Sequence, residues 1–128
     1  HRFEWTSAGH PMPLLQDLAT NEIHKLGSKE EGGLPLIIDE DWEYEKCEMQ
    51  VPPNCRILLY TDGLDEAFPQ DGKEEDQFGE TGIIQTLKDS IHLPLADTLE
   101  RLFHDSNEAT RGTGRHDDTS VVLLERRD

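Results

Sequence analysis

An aspartate follows directly on an apolar segment in the middle of this sequence. The segment is predicted to form a strand from Arg56 to Thr61, and it runs into Asp62 and Gly63. An ionised carboxylate at the mouth of a packed core is costly unless a cation or hydrogen-bond donors compensate for its lost hydration. Asp62 is therefore expected to have a partner.

A second pair of acids stands near the C-terminus, where Asp117 and Asp118 precede the apolar run Val121 to Leu124. If this run and the earlier strand lie side by side and antiparallel, the end of one meets the beginning of the other. Asp62 and Asp117 would then converge. Converging carboxylate oxygens select a hard divalent cation such as Mg²⁺ or Mn²⁺.

Each of these residues also has a plainer interpretation. Asp-Gly is a common turn dipeptide that needs no ligand, and two acids before a strand are often simply hydrated. His10 could contact phosphate or could hold a turn by hydrogen bonding. His116 is a poor candidate ligand, because oxygen-rich magnesium and manganese sites rarely recruit imidazole.

Four short motifs occur in order along the chain, and they are Ser7-Ala8-Gly9-His10-Pro11, Leu58-Leu59-Tyr60-Thr61-Asp62-Gly63-Leu64 with Glu66-Ala67, Phe78-Gly79, and Asp117-Asp118-Thr119-Ser120. Together they resemble the C-terminal half of a PPM-type (protein phosphatase 2C-like) serine/threonine phosphatase of the bacterial SpoIIE-like branch. The resemblance covers the chain from about its first residue to its last. It implies that residues 1–128 are the C-terminal portion of a single phosphatase domain.

The resemblance also implies a metal centre with two Mn²⁺ or Mg²⁺ ions in the full domain. Asp62 and Asp117 would ligate one ion, with Asp118, Gly63 and His10 as candidates for the surrounding shell. The aspartate that bridges both ions in such enzymes lies in an upstream Asp-x-Ser-Gly-His-Gly-like segment, and these 128 residues contain no such segment. The chain alone is therefore expected to be inactive.

The implied substrate is a phosphoserine or phosphothreonine protein, for example an anti-sigma-factor antagonist. A different hypothesis is a catalytically inactive phosphatase-like module that binds a regulatory protein through its acidic loop, residues 65–80. A calcium-binding module is a third, but this loop lacks the alternating acids and the glycine offset of an EF-hand. We also expect unpaired sheet edges to favour association with a second copy.

The amino-acid composition makes some classes of binding partner less favourable. The formal charge is −16, from 28 acidic and 12 basic residues, and it disfavours nucleic acid and anionic lipid. No apolar stretch approaches the ~20 residues that would span a bilayer. Cys47 and Cys55 lack a Cys-x-x-Cys pattern and are interpreted as reduced thiols of a cytoplasmic protein.

The predicted elements come as strands first, then two helices, then a final strand. This order indicates an α+β class, which the resemblance refines to a sandwich of mostly antiparallel sheets flanked by helices. The predicted strands are Arg2 to Ser7, Pro13 to Gln16, Glu22 to Leu26, Leu34 to Ile38, Trp42 to Val51 and Arg56 to Thr61, followed by the run after Ser120. One helix is predicted from Thr81, with Ile83, Ile84, Leu87 and Ile91 on its apolar face, and another from Pro94, with Leu95, Leu99, Leu102 and Phe103.

Overall fold

The structure, a computed structural model, describes residues 2–6, 11–26, 46–67, 77–110 and 119–128. Within these ranges the elements follow the order β1 (Arg2–Thr6), β2 (Leu14–Asp17), β3 (Ile23–Lys25), β4 (Lys46–Gln50), β5 (Cys55–Tyr60), α1 (Asp62–Asp65), α2 (Gly79–Asp89), α3 (Leu95–Ala109) and β6 (Val121–Arg126). The α+β class expected from the sequence is confirmed.

The described strands form two sheets. β1 and β4 pair antiparallel, and the other four strands lie in the order β3-β2-β5-β6. β2 pairs antiparallel with both β3 and β5. Asn21 and Asn54 precede β3 and β5 with φ of 63° and 57°, a left-handed conformation that asparagine tolerates better than most residues.

The strand predictions agree with these bounds to within a few residues, except where they fall outside the described ranges. The predicted strand Leu34 to Ile38 lies wholly outside them, and so does the first half of the Trp42 to Val51 prediction. The acidic loop was predicted to begin at residue 65, and most of it also lies outside. The short helix α1 was not predicted at all.

The described chain divides into two compact units, residues 1–59 with 124–128 and residues 60–123. The core of the first unit forms where its two sheets face each other. Leu15 and Ile57 are cross-strand partners on β2 and β5, and Phe3 of β1 and Met49 of β4 pack against their cluster. Because the side chains of a strand alternate between faces, Leu14 and Leu58, which are also partners, are buried on the opposite face.

Cys55 belongs to the same cluster and is a free, buried thiol, as the sequence predicted. Its Sγ–H donates a hydrogen bond to the carbonyl of Pro52 at 3.1 Å. Burial raises the pKa of the thiol. The side chain of Cys47 lies outside the described part of the structure.

A buried ion pair links β5 to β6 in this unit. Arg56 Nε lies 2.9 Å from Glu125 Oε1, and the two side chains are 2% and 10% exposed. Arg127 reaches the other carboxylate oxygen of Glu125 at 2.8 Å. Burial alone would raise the pKa of Glu125, but the hydrogen bonds and charges of Arg127 and Arg56 lower it overall.

The second unit is built on α1, α2 and α3, which contact one another. Leu64 of α1, Ile83 and Leu87 of α2 and Leu102 of α3 are its buried apolar residues on these helices. α3 begins at Leu95, one residue later than predicted, and Pro94 occupies its N-cap position. α2 begins two residues earlier than predicted, at Gly79, whose φ of +67° glycine adopts readily.

The prediction for the buried face of α3 was partly wrong. Leu102 is buried, but Leu95, Leu99 and Phe103 are only half-buried, and the fully buried positions beside Leu102 are Thr98 and Ser106. Both hydroxyls donate to backbone carbonyls, Thr98 to Ser90 at 3.2 Å and Ser106 to Leu64 at 3.3 Å. Small side chains with satisfied hydroxyls therefore form this contact where an aliphatic stripe was expected.

No helix among the described residues is long and apolar enough to cross a membrane.

Candidate metal centre

β5 carries Asp62 to the surface. Five of its six residues are buried, and the strand ends at Tyr60. Thr61 is still extended, with φ of −99° and ψ of 164°, and Asp62 is then the first residue of α1. The Asp62 side chain is exposed. An acid in the first turn of a helix is favourable, because the backbone N–H groups there point toward it.

The start of β6 is held directly beside this point. The backbone N–H of Thr61 donates to the carbonyl of Ser120 at 3.1 Å, and the backbone N–H of Ser120 donates to Thr61 Oγ1 at 2.9 Å. Thr61, which precedes Asp62, is thus bonded to Ser120, which lies two positions after Asp118 in the sequence. The segment that carries Asp117 and Asp118 ends at this pair of bonds.

The two contacts between β5 and β6 also fix the direction of the strands. Arg56 meets Glu125, and Thr61 meets Ser120, so each step forward along β5 matches a step back along β6. The strands are adjacent in the sheet and antiparallel, which is the condition under which Asp62 and Asp117 are expected to converge.

Asp65 is a second carboxylate of α1, close in space to Asp62. Burial, followed by the negative charge of Asp62, raises the pKa of Asp65 to about 6. Its Oδ1 atom is buried and has no hydrogen-bond partner among the described residues. Asp62 and Asp65 are two neighbouring carboxylates, the ligand type that hard cations such as Mg²⁺ and Mn²⁺ prefer.

The negative potential extends to the end of β5. Burial, and then the charges of Asp65, Glu80 and Asp62, raise the pKa of the Tyr60 hydroxyl well above its ordinary value. A divalent cation in this region would relieve the repulsion between the carboxylates.

The described residues do not complete a metal site by themselves. They include no group of three or more His, Cys, Asp or Glu side chains arranged to hold a metal ion. Asp117, Asp118 and His10 lie outside the described ranges. Gly63 is buried within α1. The predicted convergence of Asp62 and Asp117 therefore stays a prediction.

α1 is short but well anchored. The backbone N–H of Glu66 donates to the carbonyl of Asp62 at 2.9 Å. Ser106 of α3 donates to the Leu64 carbonyl, which holds the last turn of α1 against α3. Sequence reasoning missed both Asp65 and Ser106. The three-residue spacing from Asp62 to Asp65 could have revealed the first of them, had the segment been recognised as helical.

Comparison with known proteins places these observations in a family. The sequence model described as Stage II sporulation protein E (SpoIIE) matches residues 1–127. The phosphoserine phosphatase RsbU of Bacillus subtilis (strain 168) is 26% identical over 127 residues. That match covers 99% of this chain but only 36% of RsbU, so the chain spans about a third of this relative.

Solved structures show the same fold. The SiaA-PP2C domain of Pseudomonas aeruginosa superposes with a TM-score of 0.69 at 25% identity, covering 94% of this chain and 44% of that domain. The catalytic domain of the serine/threonine protein phosphatase PstP, solved in complex with two manganese ions, superposes with a TM-score of 0.61 at 18% identity. That match covers 95% of this chain and 53% of PstP. The chain has the PP2C fold in part, and it belongs to the SpoIIE family.

Proposed function

We propose that this chain contributes one half of the metal centre of a phosphatase that hydrolyses phosphoserine or phosphothreonine in a regulatory protein. The observation that carries the proposal is the pair of hydrogen bonds between Thr61 and Ser120. These bonds join Thr61, the residue before Asp62, to Ser120, which follows Asp117 by three positions in the sequence. RsbU is named a phosphoserine phosphatase and PstP binds two manganese ions, which supports the same chemistry here.

In this proposal Asp62 and Asp117 hold one of two Mn²⁺ or Mg²⁺ ions through carboxylate oxygens. Bound at these carboxylates, such ions would supply a water molecule of lowered pKa and would offset negative charge on the phosphoryl oxygens. Asp62 presents an exposed carboxylate from the first turn of α1. Asp65, in the same helix, adds negative charge near Asp62. Asp118, Gly63 and His10 remain candidates for the surrounding shell.

We further propose that residues 1–128 are the C-terminal portion of a single PPM-type domain, with the bridging aspartate supplied from elsewhere in the complete protein. The match to less than half of the SiaA domain supports this. So does a cavity of about 210 Å³ between the strands of the first unit, lined mainly by apolar side chains that include Phe3, Ile57 and Leu124. Leu124 is 44% exposed, and further strands of a complete sandwich would cover it.

The proposed partner is a phosphoprotein, for example an anti-sigma-factor antagonist, in the cytoplasm. The strongly acidic charge supports a protein partner over nucleic acid. A second copy of the chain is a further proposed partner.

The test is hydrolysis of an aryl phosphate and of a phosphoserine protein by the full-length protein with manganese. Asp62→Asn and Asp117→Asn should each lower kcat/KM by about 100-fold or more. Mutating a residue that only hydrogen-bonds to a metal ligand typically costs about 10- to 100-fold, and loss of the ligand itself should cost more. Asp97→Asn is a matched control, because Asp97 is an exposed aspartate in the first turn of α3. Undiminished turnover in both ligand variants would overturn the proposal, and a wild-type protein inactive with every divalent metal would favour the non-catalytic binding module.

A further inference from the structure

The helix α1 is too short to fix its own orientation. It has four residues, one of which is glycine. The Leu64 N–H donates to the Thr61 carbonyl at 3.0 Å. The Glu66 N–H donates to the Asp62 carbonyl at 2.9 Å. A helix of this length does not persist alone, because forming a first turn costs more conformational entropy than its bonds return. The direction in which α1 presents Asp62 therefore depends on contacts with other elements.

Leu64 is the residue by which α1 is held. Its side chain is fully buried, and its carbonyl accepts a hydrogen bond from the hydroxyl of Ser106 on α3 at 3.3 Å. The last carbonyl groups of a helix have no partner within the helix, and a buried carbonyl without a donor is destabilising. The Ser106 hydroxyl, which is also fully buried, supplies a donor at this point.

Leu64 and Asp62 lie on opposite sides of α1. Successive residues of an α-helix are rotated by about 100°, so two positions correspond to about 200°. In agreement with this, Leu64 is buried and Asp62 is exposed. A tilt of α1 about the buried Leu64 side chain would therefore displace the Asp62 carboxylate. The bond from Ser106 to the Leu64 carbonyl fixes a second point of α1 and opposes that tilt.

The long helix α3 provides the base for this bond. It has 15 residues and contacts both α1 and α2. Ser106 follows the buried Leu102 by four positions, about one helical turn, and is buried on the same face. A metal ligand keeps its position best when its supporting residues are locked by packing. If the ligand is misplaced for part of the time, the apparent affinity for the ion falls by that fraction.

We infer that Ser106 is a positioning residue for the candidate metal centre, whose hydroxyl fixes α1 through the Leu64 carbonyl so that Asp62 is directed at its ion. The inference rests on the proposed function, since it takes Asp62 as a metal ligand. It gives α3 a role in metal binding, although none of the residues proposed as ligands lies on that helix.

The test is titration calorimetry of manganese binding by the full-length wild-type protein, Ser106→Ala and Thr98→Val. Thr98 is the matched control, because it is also fully buried on α3 and its hydroxyl also donates to a backbone carbonyl, that of Ser90 at 3.2 Å. Ser90 is the C-cap of α2, so this bond does not involve α1. Urea unfolding of the same three proteins measures the stability that each variant loses.

Ser106→Ala should raise the manganese Kd about 3- to 10-fold, the range expected for losing one hydrogen bond that selects the binding geometry. Thr98→Val should stay within about 2-fold of wild type, although it also loses stability. Because the defect lies in affinity, saturating manganese should return the kcat of Ser106→Ala with an aryl phosphate to within about 2-fold of wild type.

A less stable Ser106→Ala with an unchanged manganese Kd would show that the hydroxyl only supports the fold, and it would overturn the inference. An equal rise of the Kd in Thr98→Val would do the same, because a general loosening of α3 would then explain both. Absence of manganese binding by the wild-type protein, or an unchanged Kd in Asp62→Asn, would overturn the proposed function itself. The two failures are therefore distinguishable.

Discussion

Asp65 offers a sharp test of the electrostatics around the candidate metal centre. Its carboxyl group is half-buried in α1, one Oδ atom has no hydrogen-bond partner among the described residues, and Asp62 and Glu66 place negative charge nearby. The folded state therefore favours the protonated acid. The perturbation is Asp65→Asn, which keeps the shape of the side chain and removes the charge.

The size of the effect follows from the pKa, which rises from 3.8 to about 6 on folding. At about 1.4 kcal/mol for each tenfold change in a protonation equilibrium, this corresponds to at most about 3 kcal/mol. The side chain is partly hydrated and its repulsion is screened, so we expect about 1 to 2 kcal/mol.

The sign follows from proton linkage. A carboxyl group whose pKa is raised by folding binds more protons in the folded state, so its contribution to stability is complete below about pH 4 and is lost as the pH rises through about 6. Asp65→Asn removes this loss. The variant should therefore be more stable than wild type by about 1 to 2 kcal/mol at pH 7 and equal to it at pH 4.

The assay is urea unfolding of wild type, Asp65→Asn and the control Asp97→Asn at several pH values between 4 and 8, with chelator present. The control also deletes one negative charge, but from an exposed position in α3, and it should not gain stability with rising pH. Wild-type and Asp65→Asn curves that remain parallel from pH 4 to 8 would refute the reasoning, as would an Asp65→Asn variant that is less stable at pH 7.

Three further substitutions test the packing that supports the centre. Glu125→Gln removes the carboxylate that pairs with the buried guanidinium of Arg56 and should cost about 3 kcal/mol in urea unfolding at pH 7. Since the pKa of Glu125 is lowered from 4.5, that loss should shrink as the pH falls below this value, and a pH-independent loss would contradict it. Gly82→Ala would drive a methyl group into the ring of Phe78 and should lower stability by about 1 to 2 kcal/mol, whereas a more stable variant would show that the ring moves aside freely. Ser106→Ala removes the bond from α3 to α1 and should cost about 1 kcal/mol, measured in the same way, and no loss would mean that the bond is dispensable.

The strands of this protein could be predicted well because their signals are local. β5 is a largely apolar run that ends at Tyr60, and turn residues such as Asn54 bound it, so its limits differ from the prediction by one residue. The sequence offered an antiparallel pairing of β5 and β6 only as the condition under which Asp62 and Asp117 would converge. The two hydrogen bonds between Thr61 and Ser120 join the end of β5 to the start of β6 in that antiparallel arrangement.

The features that sequence reasoning missed depend on tertiary contacts. α1 is only four residues long and contains glycine, so it has no periodic pattern to detect, and contacts with α2 and α3 stabilise it. Thr98 and Ser106 were passed over on α3 because hydroxyl residues are usually exposed. Their burial depends on carbonyl acceptors in other elements, which no pattern within α3 reveals.

The most direct test of the central claim is anomalous diffraction from crystals of the full-length protein grown with manganese. We predict one manganese ion with a carboxylate oxygen of Asp62 and one of Asp117 both at about 2.1 Å, a distance typical of small hard divalent cations. A well-ordered structure in which these two carboxyl groups share no ion would contradict the account.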